Sequence, residues 1–334
     1  MALLSLLSPQ EKKLIHKKAM PTFIKPMLAQ LTRNFFSRKN WIFECKLDGE
    51  RCLLFKKGKK IILKSRNNKI INESYPDIVA AAEKLDLPDC VLDGEIVAFK
   101  NKVSSFSLLQ GRFGVDNPTE SLESQVPVYL YVFDIVYCDG YELTHLPLLT
   151  RKKILKKCII FNKTICYVAH KNTEGLTYYK QACSLHWEGL IAKKVDSTYV
   201  SKRSPNWLKF KCVNEQEMVI GGYTNPGGLR TDFGALLLGY YKNGKLQYAG
   251  KVGTGFTEKT LKEVGVLLKK YKTTKCPFEN YDDPLKNVNW VKPVLVGEIR
   301  FSEWTKDNKL RHPSYLGLRA DKAAKDVVQE LPKK

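Results

Sequence analysis

Residues 41–55, WIFECKLDGERCLLF, begin with the alternation of apolar and charged side chains that predicts a β-strand. One face of this strand carries Glu44, Lys46 and Asp48, and charged groups are costly in an apolar core unless they are paired. The face therefore suits a cleft, and Gly49 ends the strand where the backbone can turn. Two interpretations stay open here. Either Lys46 is a nucleophile that its neighbours position, or Lys46 and Asp48 form an ion pair on an edge strand.

The sequence around this stretch predicts a mixed domain of antiparallel strands and helices. The basic turn Lys56–Lys60 joins the stretch to a return strand, and together they make a hairpin. The other predicted strands are Ile61–Arg66, Cys90–Phe99, Val128–Tyr137, Trp187–Lys193 and Trp207–Lys211. The predicted helices are Tyr75–Leu85, Phe106–Arg112, Arg151–Cys158 and Thr173–His186.

Beyond Val213 the helix signals become rare, and glycines separate short strands. The predicted elements of this part are the strands Met218–Tyr223, Ala235–Lys242, Leu246–Val252 and Leu295–Trp304 and the helix Glu258–Tyr271. Several short strands with a single helix predict a small barrel of the OB type. The sequence thus predicts an α+β protein in three parts. These are a basic N-terminal arm at 1–20, helical or loose, a mixed domain at 21–212 and a barrel at 213–334.

The 334 residues carry a formal net charge of +22, which is the strongest signal in the composition. Such an excess of Lys and Arg disfavours self-association, which predicts a monomer, and it attracts polyanions. Nucleic acid is the expected partner, because each phosphate contact releases counterions. An acidic membrane surface is the alternative, but no long basic amphipathic helix supports it. No run approaches the ~18–20 apolar residues of a membrane span, so no membrane association is expected.

The nine cysteines are scattered and lie mostly in apolar runs. None forms a Cys-x-x-Cys pair or a Cys/His cluster with zinc spacing, so no structural metal is predicted. Reduced thiols in a cytoplasmic protein are the expectation, and in a bacterium such a protein would be associated with the nucleoid. The N-terminal sequence MALLSLLSPQEKK has no basic residue before its apolar run, and it predicts a helix start rather than a signal peptide.

Charged residues near predicted strand ends indicate a site for a metal ion and a triphosphate. The residues of this set are Asp48, Glu95, Glu188, Lys209 and Lys211. Mg²⁺ binds through one or two carboxylates and bridges to phosphate, whose charge lysines neutralise. The chemistry that fits is attack of Lys46 on an α-phosphate with loss of pyrophosphate. Lys46 must first lose a proton, and a nearby metal ion and cationic neighbours would lower its pKa. The glycine-rich loop of P-loop ATPases is absent.

These residues fall into a series of motifs in which the chain resembles the ATP-dependent DNA ligases of the covalent nucleotidyltransferase superfamily. Lys46–Arg51 reads KLDGER and matches the family's first motif, Lys-x-Asp-Gly-x-Arg. The other segments that look like family motifs are Ser65–Asn67, Leu92–Glu95, Phe106–Arg112, Tyr131–Ile135, Glu188–Lys193, Trp207–Lys211 and Leu310–Lys322. The resemblance covers about residues 21–325. The Phe106–Arg112 segment and the tail look most like the ligase domain of bacterial LigD-type end-joining enzymes.

The resemblance implies ATP as the AMP donor and Mg²⁺ (or Mn²⁺) as the metal ion. Lys46 would form the lysyl–AMP, with Asp48 and Arg51 as further catalytic residues. The role of Asp48 stays open between general base, metal contact and turn former. Glu95 and Glu188 would hold the metal ion, and Glu95 is also a candidate for the ribose hydroxyl.

The same resemblance implies the contacts to the nucleotide. Glu44 lies where the adenine amine is recognised, and Phe133 would stack on the base. The residues implied at the ribose and the phosphates are Arg51, Arg66, Lys209 and Lys211, and those implied at the pyrophosphate are Arg319, Asp321 and Lys322. The last three belong to the second domain and would act in the first step only.

In the family, AMP passes to the 5′-phosphate of a nick and the 3′-hydroxyl then displaces it, so nicked double-stranded DNA is the implied partner. A double-strand break is an open alternative substrate, and a Ku-like end-binding protein is a further partner that the resemblance allows. RNA ligases and capping guanylyltransferases share the lysyl–nucleotide chemistry and are the alternative functions. The arm at 1–20 and basic patches such as Lys56–Lys60 and Arg151–Lys157 are expected to contact phosphates.

Overall fold

The computed structural model describes residues 3–227, 232–283 and 287–330. Within this part of the chain, the residues up to Cys212 form one compact unit and Val213–Glu330 form a second. Residues 1–2 of the predicted arm and 331–334 of the predicted barrel lie outside the described residues. Among the described residues, no helix has the length and apolar character that a membrane crossing requires.

The first unit combines many strands with short helices. Its described strands, β1–β14 in chain order, are His16–Lys17, Leu28–Leu31, Trp41–Cys45, Glu50–Lys57, Lys60–Ser65, Cys90–Val97, Phe99–Lys100, Val103–Ser104, Tyr129–Cys138, Tyr141–Glu142, Ile165–Tyr167, His170–Asn172, Gly189–Lys194 and Arg203–Lys211. Its described α-helices, α1–α6, are Pro9–Lys12, Pro76–Glu83, Phe106–Leu109, Glu120–Gln125, Leu148–Cys158 and Gly175–Ser184. The stretch at residues 41–55 is thus two strands, β3 and β4, separated by a loop that contains Gly49.

The larger sheet of this unit orders its strands β1-β10-β9-β6-β4-β5, and β11 pairs in parallel with β9. β4 and β5 form the predicted antiparallel hairpin, which turns at Gly58 with a φ of 56°. A hydrophobic cluster joins this sheet to α2 and α5, and its members include Leu54, Leu63, Ile78, Leu92, Ile135 and Ile154. The apolar residues of the predicted strands therefore form the main core of the first unit.

The smaller sheet has the order β12-β3-β13-β14-β2, in which β14 and β2 are parallel and the other pairs are antiparallel. One face carries an aromatic cluster that includes Phe43 and Phe210, whose ring centroids are 5.9 Å apart. A further cluster contains Leu53 of β4 and Trp207 of β14. This cluster packs the two sheets against each other.

The N-terminal segment, which the sequence predicts to be helical or loose, packs on the first unit along its described length. It forms a 3-10 helix at Leu3–Leu6, followed by α1 and β1. Leu3, Leu6 and Ile15 are buried in the main core, while most charged residues of the segment stay exposed. The apolar residues near the N-terminus thus tie the segment to the domain, because leaving them in water would cost free energy.

One pair of cysteines differs from the expectation of reduced thiols. Cys183, in the last turn of α6, forms a disulfide with Cys212, and their Cα atoms are 5.3 Å apart. The pairing was not visible in the sequence, because 29 residues separate the two cysteines and only the fold brings them together. The other seven cysteines are free thiols.

Reduction of the Cys183–Cys212 disulfide is expected to destabilise the first unit. The chain-entropy model gives roughly 3–4 kcal/mol for a loop of this length. Urea unfolding with and without reductant measures the effect, and Cys183→Ser should match the reduced protein. Cys166→Ser removes a thiol outside the disulfide and serves as the control. An equal loss of stability in the control, or no change on reduction, would contradict the prediction.

The second unit consists of short strands and a single described α-helix. The strands β15–β22 are Asn214–Thr224, Leu236–Lys242, Lys245–Val252, Lys272–Thr273, Val288–Phe301, Glu303–Trp304, Leu310–Arg311 and Ser314–Leu318, and the helix α7 is Glu258–Lys270. The main sheet has the order β17-β16-β15-β19-β18, with β22 paired to β19. A separate core that includes Ile220, Leu238, Val264 and Ile299 joins the sheet to α7.

Candidate active site

The floor of the candidate site is the face of the smaller sheet opposite the aromatic cluster. The register aligns Glu44 with Ile191 and Ile191 with Lys209 across β3, β13 and β14. Because side chains two residues apart share a face of a strand, Lys46 and Lys211 continue the same surface. The sheet thus brings together four of the residues that the sequence assigns to the nucleotide.

At Gly189, the backbone of β13 comes close to both of its neighbouring chain segments, the end of β3 and β14. The Gly189 carbonyl accepts a hydrogen bond from the Lys46 N–H at 2.9 Å. Its φ is 143°, and a Cβ atom there would lie 1.9 Å from the carbonyl oxygen of Phe210. Only glycine can fill this position without moving the backbone of β14, so the close approach depends on it.

Lys46 forms an ion pair with Glu188, which directly precedes β13. Lys211 approaches the other carboxylate oxygen of Glu188 at 3.5 Å. Burial raises the pKa of Glu188, but the two lysines outweigh it and lower that pKa below the usual value. Burial likewise lowers the pKa of Lys46, yet Glu188 raises it above the ordinary lysine value. The Glu188 carboxylate thus opposes the lowering of the Lys46 pKa that a nearby metal ion and cationic neighbours would produce.

Asp48 ties the loop after Lys46 to the segment that begins at β8. Its carboxylate accepts a hydrogen bond from the Phe106 N–H at 3.0 Å, and its own N–H donates to Ser104 Oγ at 3.0 Å. These contacts hold the loop that follows Lys46 against β8 and the start of α3.

Arg112, at the end of the same segment, is fully buried rather than exposed. Its guanidinium donates to Asp77 at 3.1 Å and to the carbonyls of Ser74 and Val126, each at 3.2 Å. Arg112 therefore anchors this ligase-like segment to α2 and to the loop after α4.

Arg51 of β4 is fixed by Asp93 on the neighbouring strand β6. Its Nε and Nη2 atoms donate to the two Asp93 oxygens at 2.5 and 2.6 Å, and Nη2 also donates to the Met27 carbonyl. The Tyr199 hydroxyl donates to the same carboxylate at 2.6 Å, and Asp93 is fully buried. Burial lowers the pKa of Arg51, but Asp93 raises it above the usual range. Arg51 is thus a permanently charged group in a defined position.

Phe133 is a partly exposed aromatic residue with cations beside its ring. The Arg51 guanidinium lies 4.7 Å from the ring centroid, and the Lys193 ammonium lies 4.3 Å from it. Trp207 packs against the ring edge-on, with 6.0 Å between the centroids. Phe133 belongs to the larger sheet, and Lys193 and Trp207 belong to the smaller one, so the two sheets meet at this ring.

Glu44 is only 2% exposed and pairs with two buried lysines that the sequence analysis did not single out. Lys152 of α5 pairs with its Oε1, and the Lys193 ammonium lies 2.6 Å from its Oε2. Burial raises the pKa of Glu44, but the two lysines lower it further and keep the carboxylate ionised. Burial lowers the pKa of Lys193 to about 8 despite Glu44. For Lys152, the attraction of Glu44 exceeds the effect of burial and raises the pKa.

The three tail residues of the second unit form one ion-pair cluster. Arg319 donates to both oxygens of Asp321 at 2.9 and 2.8 Å, and it pairs with Glu298 at 3.4 Å. Lys322 pairs with Glu217 at 2.9 Å. The charges implied for the pyrophosphate are therefore held by carboxylates of their own unit.

The remaining predicted residues are placed as follows. Glu95 lies inside β6, where it pairs in register with Arg51 and Tyr131, so the expectation of a strand end is wrong. Arg66 follows β5 directly and is partly exposed.

Among the described residues, no group of three or more His, Cys, Asp or Glu side chains could hold a metal ion.

Comparison with protein families gives two matches that together span most of the chain. The model for the ATP dependent DNA ligase domain matches residues 26–211, and the model for the ATP dependent DNA ligase C terminal region matches residues 229–322.

Curated relatives include the multifunctional non-homologous end joining protein LigD of Mycolicibacterium smegmatis. It is 36% identical over 323 residues, which cover 94% of this chain and 41% of the relative. The LigD DNA repair protein of Mycobacterium tuberculosis is 38% identical over 318 residues, which cover 92% of this chain and 40% of the relative. The chain thus spans about two fifths of the length of these relatives.

Solved structures give the same result. A mycobacterial DNA ligase D complexed with ATP and MES is 33% identical, with 93% of this chain and 100% of that chain covered and a TM-score of 0.67. The ligase domain of M. tuberculosis LigD is also 33% identical at the same coverage, with a TM-score of 0.51. These likenesses confirm the predicted α+β class, in which an adenylation domain precedes an OB-fold domain. The chain belongs to the ATP-dependent DNA ligase family.

Proposed function

We propose that this chain joins the 5′-phosphate and the 3′-hydroxyl at a nick in double-stranded DNA. In the first step Lys46, after losing one proton, attacks the α-phosphate of ATP, so that an N–P bond forms and pyrophosphate leaves. AMP then passes to the 5′-phosphate, and the 3′-hydroxyl displaces it. One observation carries the proposal. The sheet register places Lys46 on one face with Glu44, Lys209 and Lys211, and Glu188 lies against its ammonium.

The proposed base contacts come from Glu44 and Phe133. A carboxylate accepts hydrogen bonds, so ionised Glu44 suits the exocyclic amine of adenine. The Phe133 ring is partly exposed and suits stacking on the base. Lys193 lies beside both residues, which supports a single pocket in which Phe133 stacks on the face of the base and Glu44 contacts its edge.

The proposed phosphate contacts come from Arg51, Arg66, Lys209 and Lys211. Phosphoryl-type transfer depends mainly on positioning and charge neutralisation, which is what a set of fixed cations supplies. In the first step, the tail cluster Arg319–Lys322 would orient the pyrophosphate. This role requires that Arg319 exchange its bonds to Asp321 and Glu298 for bonds to phosphate oxygens.

We propose that Glu188 and Glu95 hold Mg²⁺ (or Mn²⁺) together with the triphosphate. Carboxylates are the ligand type that suits this ion, since Mg²⁺ binds proteins through one or two carboxylates and keeps waters that it exchanges for phosphate oxygens. A bound divalent cation would neutralise phosphate charge and offset the negative charge of Glu188.

The charge of +22 supports DNA as the polyanionic partner. Of the predicted patches, Lys56–Lys60 is mostly exposed, whereas Arg151 and Lys152 are buried and are not available to phosphates. The LigD relatives are named for non-homologous end joining, so DNA breaks and a Ku-like end-binding protein belong to the proposal. A monomer in the cytoplasm is the proposed state of the chain.

Incubation with α-labelled ATP or GTP and Mg²⁺ tests the proposal. ATP should give a covalent label on the protein, and nicked DNA should then be sealed with release of AMP. Nicked RNA offered in parallel tests the RNA ligase alternative, and the GTP arm tests the guanylyltransferase. A label from GTP alone, or sealing of RNA alone, would contradict the DNA ligase function. The absence of any label would favour a binding module.

A further inference from the structure

Lys152 is a buried lysine whose ammonium has an acceptor for each of its protons. It pairs with Glu44 Oε1 and donates to the carbonyl oxygens of Val168 at 3.1 Å and Phe133 at 3.4 Å. The residue is 2% exposed. A lysine ammonium has three donors and no acceptor. These contacts therefore use its full capacity, and no proton remains to be offered to a ligand.

Two of the three partners of Lys152, Glu44 and Phe133, are residues that the proposed function assigns to the base. Glu44 belongs to β3 of the smaller sheet, and Phe133 belongs to β9 of the larger sheet. Lys152 itself belongs to α5. Its neighbour in that helix, Arg151, holds α5 against β9 through two hydrogen bonds to Asp134 at 2.8 and 2.9 Å. The Lys152 ammonium thus fixes Glu44, proposed to contact the edge of the base, relative to Phe133, proposed to stack on it.

Lys193 differs from Lys152 at the same carboxylate. Its ammonium forms an ion pair with Glu44 Oε2 at 2.6 Å. It also lies 4.3 Å from the Phe133 centroid and 4.0 Å from that of Trp207. Lys193 therefore contacts two aromatic rings besides Glu44, whereas Lys152 donates to two backbone carbonyls besides Glu44.

We propose that Lys152 is a positioning residue that makes the site select adenine over guanine, because it holds Glu44 ionised and oriented toward the base. The inference rests on the proposed role of Glu44. Adenine presents an amine donor at the position where guanine presents a carbonyl acceptor. An ionised carboxylate accepts from the amine and repels the carbonyl, whereas a protonated carboxyl could donate to the guanine carbonyl. Removal of one of its two buried cations favours the protonated form of Glu44.

The test compares Lys152→Met, Lys152→Arg and the intact protein in the covalent labelling reaction with α-labelled ATP and GTP. Lys152→Met should raise the ATP concentration at half-maximal rate by about tenfold, as expected for a lost hydrogen bond to a charged group. Its preference for ATP over GTP should fall by a similar factor, while the maximal rate with ATP changes little. Lys152→Arg keeps the charge and should retain part of the preference. Lys180→Met, at an exposed lysine of α6, is the matched control.

A double-mutant cycle separates positioning from a general loss of structure. If Lys152 acts through Glu44, Lys152→Met should lower the preference far less in a Glu44→Gln background than in the intact protein. If Lys152→Met lowered the preference for ATP over GTP by the same factor with and without Glu44→Gln, the inference would be overturned. An ATP preference in Lys152→Met equal to that of the intact protein would overturn it as well. If Lys152→Met does not fold, as thermal unfolding would show, the same cycle with Lys152→Arg decides.

The intact protein distinguishes the two levels of the proposal. If it forms no covalent label with ATP, the proposed function fails before any variant is compared. If it forms the label and prefers ATP, but the Lys152 variants keep that preference, only the role of Lys152 is overturned.

Discussion

Lys46→Ala is expected to leave the protein folded but without any covalent label from ATP. The proposed first step forms a bond to the Lys46 amine, which the substitution removes, and Lys193, on the same sheet face, lies on β13 and pairs with Glu44. Lys209 and Lys211 lie on β14, two strands away from β3 across β13. The measurement is retention of α-label on the denatured protein after incubation with ATP and Mg²⁺.

Two controls accompany Lys46→Ala. Lys46→Arg keeps a cation beside Glu188 and should fold like the intact protein, yet it should also remain unlabelled because a guanidinium is protonated in proteins. Lys180→Ala changes an exposed lysine and should be labelled normally. A nick that already carries AMP on its 5′-phosphate bypasses the first step, so Lys46→Ala should still seal some of it. Normal labelling of Lys46→Ala would assign the nucleophile to another residue.

Asp93→Ala is expected to lower the free energy of unfolding by about 3–5 kcal/mol, the usual cost of removing one partner from a buried ion pair. The change leaves the Arg51 guanidinium without its bidentate acceptor and removes the acceptor of the Tyr199 hydroxyl. Adenylation should fall as well, because Arg51 is then no longer held beside Phe133. Urea unfolding followed by circular dichroism measures the stability, and the labelling assay measures the activity.

The control for Asp93→Ala is Asp86→Ala, at an exposed residue before β6, which should change stability by less than about 0.5 kcal/mol. Asp93→Asn keeps the shape and one acceptor oxygen, so it should lie between Asp93→Ala and the intact protein. A loss of stability in Asp93→Ala no larger than that in Asp86→Ala would show that Arg51 finds another partner.

The longer strands and most of the longer helices could be predicted from the sequence, because they follow local periodicity, whereas short elements such as β2, β12 and α4 were missed. The hairpin of β4 and β5, the strand-rich second unit and helix α7 occur where the patterns indicate them. Motif spacing also singled out Glu44, Lys46 and Glu188, which the structure places on or beside one sheet. These features depend on residues close in sequence or on a pattern that a whole family shares.

The partners that hold the site could not be predicted in this way. Lys152 and Glu44 are 108 residues apart, so no local pattern connects them. A signal was nevertheless present in α5, where Leu148, Arg151, Lys152 and Leu155 follow the spacing of one helix face. All four are buried. Two basic residues on an apolar helix face require buried anions, and Asp134 and Glu44 supply them.

The two-residue interval between Glu44 and Lys46 limits how β3 can change. In a strand, shifting the register by one residue sends every side chain to the opposite side. Inserting a single residue between Phe43 and Glu44 would therefore turn the charged pair toward the aromatic cluster if the N-terminal half of β3 keeps its register, or turn the Phe43 ring toward the nucleotide if the C-terminal half keeps it. The first outcome would remove Glu44 and Lys46 from the site, and the second would remove Phe43 from the aromatic core. A change in the length of β3 would therefore damage either the aromatic core or the charged site. The exposed turn at Gly58, by contrast, can vary in length without moving either face of β3.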